Sequence, residues 1–333
     1  TEHERNARLT KRQKIMDTKL LKINSDGYAY ASEILKSGGL VAFPTETVYG
    51  LGANALNSDA VAEIYTAKKR PNFNPLIVHV LNLETAQKFA VFNKDTLLLA
   101  NKFWPGPLTV VAPIKNKTNL SKLITAGLDT VAIRVPAHPV ARKLLETFNG
   151  PIAAPSANPS GSISSTSAAH VKSGLGGRIQ AILNGGKCDV GLESTIILSN
   201  NGQCNILRSG GISEKEIEEV LGYKISLNQN SDTLISPGQL SSHYAPNANL
   251  RMNAIKADED EYMIGFGDVV GQLNLSSQGN LIEAATNLFA YLHMADEDAI
   301  TLGKTKIAIA KIPMHGLGVA INDRLTRAST PKS

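Results

Sequence analysis

Cysteine is scarce: the chain of 333 residues has two, Cys188 and Cys204. Each is single, and together they flank a predicted hairpin. A disulfide framework or a cysteine-built zinc site is therefore not expected, and both thiols read as small buried hydrophobes. The histidines are scattered, without a helical pair or a Cys–His cluster, so no protein-built metal cage is expected either. Long apolar runs are missing as well. Nothing approaches the roughly 18 residues of a membrane span, and the N-terminus has no signal-peptide core. A soluble protein of the cytoplasm is expected.

The formal net charge is +5, but its distribution argues against a nucleic-acid-binding body. Residues 1–22 hold seven Lys/Arg against three Asp/Glu, a local excess of +4. Residues 1–24 are expected to be a mobile basic tail, with Met16 as a candidate natural start. The remaining chain is nearly neutral, so anion binding must come from local clusters.

The usual nucleotide motifs fail too. "LGKT" at Leu302–Thr305 ends like a P-loop, but the required first glycine falls on Asp298. "GFGDVVG" at Gly265–Gly271 has one residue too many for a dinucleotide fingerprint. There is no Ser–His–Asp arrangement, no activated cysteine and no carboxylate pair suited to glycoside hydrolysis.

What is present is an alternation of β-branched apolar runs with amphipathic segments from about Asp26 to Gly222. Strands are predicted at Leu40–Phe43, Leu76–Val80, Leu108–Pro113, Val131–Val135, Ile152–Ala154, Ile179–Leu183, Thr195–Ser199 and Asn205–Arg208. Helices are predicted between them, and Asn201-Gly202 marks a hairpin. Residues 223–247 turn to Ser, Asn, Gln, Gly and Pro and read as a linker. Strand, helix, strand and helix patterns then give a small second α/β domain at 248–333.

Several polar residues stand where apolar ones are ordinary. "GLVAFPTETVYGLGAN" runs from a buried strand into Thr45, Glu46, Thr47 and Tyr49. Arg134 lies inside the apolar strand "TVAIRVP", where a guanidinium needs a carboxylate or phosphate partner. Arg208 repeats the situation at the end of "CNILR". Lys68, Lys69 and Arg70 end a helix, which taken alone is ordinary dipole complementation. "APSANPSGSISSTSAAHV" brings hydroxyls and free N–H groups to a strand-to-helix turn, and "GLESTII" adds Ser194 and Thr195. Cations, hydroxyls and amides without a nucleophile suit catalysis by positioning and charge neutralisation, as in phosphoryl or nucleotidyl transfer.

These segments carry a family resemblance. "FPTETVYGLGANA", "AKKRPNFNPLIVHV", "WPGPLTVV", "TVAIRVPAHP", "APSANPSG", "ESTII", "ILRSGGI", "HYAP" and "GLGVAINDRL" occur in the order seen in the two-domain threonylcarbamoyl-AMP synthases and span roughly Asp26 to Arg327. The resemblance implies a YrdC-like mixed twisted sheet over 25–222, a linker acting as a lid over 223–247, and a small Rossmann-like C-terminal domain over 248–333. It implies a nucleotidyltransferase making threonylcarbamoyl-AMP and diphosphate from L-threonine, bicarbonate or CO2, and ATP. Mg2+ would come with ATP, without a dedicated protein cage. A tRNA threonylcarbamoyltransferase system would receive the product and modify the adenosine next to the anticodon.

Residue by residue, the resemblance assigns threonine and its carbamate to Thr47, His79, Arg134, Ser194 and the Ala154 backbone, with Tyr49 as a wall of the pocket. ATP falls to Arg70, Asn74, Thr130, Ser156, Ser164 and Arg208, with Tyr244 folding over the nucleotide. Lys68 offsets phosphate charge. Arg134→Ala is expected to abolish turnover and leave the fold intact. The chain departs from the family pattern at Ser165 and Ser209, where prolines are common, and at Gln239–Ser242 before "HYAP". Two competing expectations are a YrdC-like module that binds RNA weakly, helped by the tail, and a carbamoyl-adenylate chemistry like that of hydrogenase-maturation enzymes. The chain lacks the extra regions of the latter.

Overall fold

Asparagine starts most of the early helices. Asn24, Asn57, Asn82 and Asn93 each turn a side-chain oxygen onto backbone N–H groups of the following turn, satisfying donors that a helix start leaves open. This computed structural model describes residues 16–71, 74–200, 202–227 and 243–330. The elements begin with β1 (Lys19–Leu21), α1 (Ser25–Lys36), β2 (Val41–Pro44), β3 (Tyr49–Asn54), α2 (Ser58–Lys68) and β4 (Ile77–His79). They continue with α3 (Leu83–Phe89), α4 (Lys94–Phe103), β5 (Leu108–Pro113), β6 (Thr130–Arg134), α5 (Pro139–Phe148) and β7 (Ile152–Ala153). Next come α6 (Ala168–Leu175), β8 (Ala181–Leu183), β9 (Thr195–Asn200), β10 (Gln203–Arg208), α7 (Glu214–Leu221) and β11 (Ser226–Leu227). The last group is β12 (Asn249–Ala254), β13 (Glu261–Gly265), β14 (Leu273–Asn274), α8 (Leu281–Thr301), β15 (Lys306–Ala310) and α9 (Leu317–Ser329).

The first eleven strands form one mixed sheet in the order β1-β8-β2-β3-β7-β4-β6-β5-β9-β10-β11. Side chains alternate across it as the pleat requires. Along β2, Ala42 packs into a core shared with α2 and α4, whereas Val41 and Phe43 pack into a core shared with α1 and α5. Helices on both faces explain why β2 is buried at every position. The second sheet, β12-β15-β13-β14, is parallel throughout. Its core, with α8 and α9, also takes in Val48, Ile163, Leu192 and Tyr244 from the first part of the chain. The two units therefore share a hydrophobic seam.

Two boundaries differ from expectation. The tail is shorter than 1–24, because Lys19–Leu21 adds a parallel edge strand to Ala181–Leu183. Ser226–Leu227 pairs with β10, so the first sheet runs past residue 222 into the expected linker. Most of that linker, and the Gln239–Ser242 departure, lies outside the described residues, as do Asn201 of the predicted hairpin and residues 1–15. Gly202, with φ +74°, supplies the left-handed residue between β9 and β10.

Candidate active site

The sheet topology brings distant segments to one end. His79 and Arg134 are register partners at the ends of the parallel pair β4 and β6. Antiparallel β5 starts there, with Thr109 opposite Arg134. Parallel β9 starts beside β5, and antiparallel β10 ends beside β9 at Arg208. The four residues between β2 and β3 fold over this end. Thr45 Oγ1 organises them, donating to the Val48 carbonyl (2.6 Å) and accepting from the Thr47 and Val48 N–H groups.

Arg134 sits at the centre, 4 % exposed. Its Nη2 is 2.5 Å from Glu46 Oε1, its Nη1 donates to Thr47 Oγ1 (2.8 Å), and its Nε donates to the Gly106 carbonyl. The other Glu46 oxygen accepts from the Ala137 and His138 N–H groups. Burial disfavours the Glu46 carboxylate, but the Arg134 charge and hydrogen bond outweigh it and hold its pKa below the ordinary value. The partner a buried guanidinium demands is thus a carboxylate 88 positions away, with Thr47 fixed between them.

Next to this pair, Ser194 Oγ lies 2.7 Å from Thr109 Oγ1. Arg208 reaches Ser194 through its carbonyl and its hydroxyl. Gly210 makes the packing feasible: a Cβ there would lie 2.3 Å from the Glu193 carbonyl and 2.4 Å from the Thr195 nitrogen. His79 is buried against the edge of Phe43, and its Nδ1 has no partner. Burial, with the Arg134 charge, lowers its pKa to about 3, so the ring is neutral. The Ala154 N–H is committed to the Ile77 carbonyl (2.9 Å), which leaves its carbonyl as the group it can present.

The second cationic group lies beside the first. Lys68 Nζ donates to the carbonyls of Ser156 and Asn158, and burial followed by the Arg70 charge pushes its pKa well below the ordinary lysine value. Arg70 donates to the carbonyls of Asn74 and Pro75, and burial lowers its pKa to about 10. Both polar atoms of the Asn74 amide are buried and unpartnered. Such orphans usually mean a ligand or water that completes them.

One cleft gathers Thr47, Tyr49, Arg70, His79, Arg134, Ala154, Ser156, Ser194, Arg208 and Tyr244. The other assigned residues stand outside its lining. Lys68 and Asn74 back the Arg70 side, and Ser164 donates its hydroxyl to Glu193 Oε1 (2.5 Å). Thr130 begins β6, about 13 Å along the strand from Arg134 at 3.3 Å per residue. At the departure Ser165, the hydroxyl bonds the Ala157 carbonyl (2.8 Å) and the main-chain carbonyl accepts from Tyr49.

His243 and Tyr244 cover the cleft and leave a cavity of about 40 Å³, far below the few hundred a nucleotide site needs. Tyr244 holds φ +63°, unusual for an aromatic residue, and is 1 % exposed. Its ring stacks on Phe289 of α8 (5.5 Å) and lies under the Arg324 guanidinium of α9 (5.4 Å). Four participants had no assignment from sequence: Glu46, Glu193, His243 and Arg324. Glu46 stood in the polar string after β2, and His243 in "HYAP". The Glu193–Arg324 pair joins residues 131 positions apart and had no local signal.

Comparison with known proteins finds similarity along most of the chain. The Sua5, YciO and YrdC family model, described as "Telomere recombination", matches residues 33–210, and the "Threonylcarbamoyl-AMP synthase, C-terminal domain" model matches 212–330. A threonylcarbamoyl-AMP synthase of Pyrococcus abyssi is 40 % identical over 321 residues, covering 90 % of this chain and 93 % of the relative. One from Bacillus subtilis is 39 % identical, covering 96 % and 98 %. The crystal structure of P. abyssi Sua5 complexed with L-threonine superposes with a TM-score of 0.84 at 37 % identity, covering 94 % of this chain and 97 % of that one.

Proposed function

This chain belongs to the threonylcarbamoyl-AMP synthase family, and from that premise we propose that its cleft joins L-threonine, bicarbonate or CO2, and ATP into threonylcarbamoyl-AMP, releasing diphosphate. The observation that carries the reading is a buried charge imbalance. Lys68, Arg70, Arg134 and Arg208 surround or back the cleft against two buried carboxylates, Glu46 and Glu193. An interior with surplus positive charge is costly unless anions enter it.

Threonine and CO2 form a carbamate, and a carbamate oxygen attacks the α-phosphorus in line as diphosphate leaves. Arg134 and Thr47, pre-aligned by Glu46, hold the threonine carboxylate, since each terminal guanidinium nitrogen carries a second hydrogen. His79, Ser194 and the Ala154 carbonyl border the carbamate. His79 is neutral and can donate one hydrogen bond without adding charge. Arg70, Asn74, Thr130, Ser156, Ser164 and Arg208 serve ATP, with Asn74 offering donor and acceptor together. An arriving polyanion favours protonated Lys68, which burial and Arg70 disfavour in the empty cleft. Tyr244 covers the nucleotide and limits hydrolysis of the labile product.

Among the described residues, no group of three or more His, Cys, Asp or Glu could hold a metal. Mg2+ would be held by the nucleotide phosphates and would offset their charge; this fits a donor set that is cationic rather than carboxylate-rich. A transferase acting on the adenosine next to the tRNA anticodon is the proposed consumer of the product. None of the described helices is long and apolar enough to cross a membrane.

The test compares diphosphate release with L-threonine, L-serine or no amino acid, in ATP, Mg2+ and bicarbonate, with mass detection of the adenylate. Threonine- and bicarbonate-dependent release with the matching adduct is expected. Release that ignores both would overturn the assignment.

A further inference from the structure

Arg324 is the largest fully buried side chain among the described residues, yet it lies on α9, outside the sheet that carries the site. Its Nε donates to Glu193 Oε2 (2.9 Å), its Nη1 donates to Asp323 (2.8 Å), and its Nη2 is buried without a partner. The same guanidinium covers the Tyr244 ring, which also stacks on Phe289 of α8 and tilts against the His243 ring. Glu193 in turn accepts from Ser164 and directly precedes Ser194. Close packing reinforces this junction. A Cβ on Gly191 would lie 2.6 Å from the Ala285 carbonyl of α8, and Thr286 Oγ1 donates to the Asp189 carbonyl (2.7 Å).

We propose that Arg324 is a positioning residue through which the C-terminal domain latches Tyr244 over the cleft and fixes Glu193, and with it the Ser194 end of the site. The chemistry of the side chain suits the task. A guanidinium can lie flat on an aromatic ring while its edge bonds a carboxylate, and an ammonium cannot do both. His243 adds a main-chain link, its N–H reaching the Arg327 carbonyl of the same helix, and Ala245 N–H bonds the Gly161 carbonyl (2.9 Å) on the catalytic side. Tyr244 is thus strung between two units, with Arg324 and Phe289 holding its ring. In energetic terms the C-terminal domain sets the fraction of molecules with a closed cleft; the closed cleft of about 40 Å³ does not admit a nucleotide, so a smaller closed fraction tightens apparent ATP affinity in proportion. Only that last consequence rests on the functional reading above; the latch itself does not.

The test uses the full chain and two variants, Arg324→Lys, which keeps the charge, and Arg324→Met/Glu193→Gln, which removes both members of the ion pair. Amide exchange of 243–247 is expected to quicken at least tenfold in both, while exchange in β5 and β6 stays at the wild-type rate. The KM for ATP is expected to fall at least threefold in Arg324→Lys. Unchanged exchange at 243–247 overturns the latch, as does a fall in kcat at constant KM, which is what loss of folded protein alone produces. A wild-type protein that releases no diphosphate overturns the functional reading, and the exchange comparison still decides the latch.

Discussion

Arg134 shows how one residue can be legible in part. A guanidinium inside an apolar strand announces that an anion must meet it, and sequence supplies the demand without the partner. The partner is Glu46, and both are buried. This changes the expectation that Arg134→Ala leaves the fold intact, because the substitution strands a buried carboxylate. A loss of about 3–5 kcal/mol in denaturant melts is predicted, together with lost turnover. Arg134→Ala/Glu46→Gln removes both charges and should recover much of that stability while turnover stays absent. If activity returned with stability, Arg134 would be structural only. The assigned residues that gather in the cleft were legible through their family motifs. Glu193 and Arg324 were not, because long-range ion pairs leave no local periodicity.

At the scale of elements, β3 was missed because it carries residues usually read as breakers. β3 contains "YGLG", and glycine lowers strand propensity. Gly52 is there because a Cβ would lie 2.8 Å from the Phe43 ring and 3.1 Å from the Val41 carbonyl. Close approach of backbones, invisible in one dimension, chose the residue. Gly210 offers the sharpest test. Its missing Cβ lets the turn after β10 press against Glu193–Thr195, and the blocking atoms are backbone, which cannot swing away. Gly210→Ala is predicted to cost at least about 1–3 kcal/mol and to raise the KM for threonine by displacing Ser194. An alanine variant with wild-type melting and KM would refute this account of the turn.

For the whole molecule, two units share a seam, and the buried imidazoles of the chain resist protonation. His79, His243, His170 and His293 all have pKa values lowered chiefly by burial, His79 to about 3 and His170 to about 4. His170 and His293 stack at 4.0 Å between the units, near Lys187, Asp296 and Glu297. The unfolded chain takes up these protons near pH 6.5, while the folded chain refuses them until much lower pH. The stability these rings contribute is therefore present above about pH 6.5 and falls as pH drops through the window below it. His79 alone contributes a slope of about 1.4 kcal/mol per pH unit there. Denaturant melts at pH 7, 6 and 5 should show this slope or a steeper one, and a flat profile would contradict burial of the neutral rings. The α/β class and the two-unit organisation were readable from alternating patterns. The seam was not, because Val48, Ile163 and Leu192 look like ordinary core residues of the first sheet.

The central claim is that a carbamate formed from threonine and bicarbonate captures the adenylyl group of ATP. Its most direct test is a reaction with 13C-bicarbonate, L-threonine, ATP and Mg2+, measuring diphosphate and the mass of the nucleotide product. The prediction is a threonylcarbamoyl-AMP one mass unit heavier than the unlabelled adduct, formed in equal amount to diphosphate. AMP and diphosphate without labelled adduct, or ADP and phosphate, would contradict it.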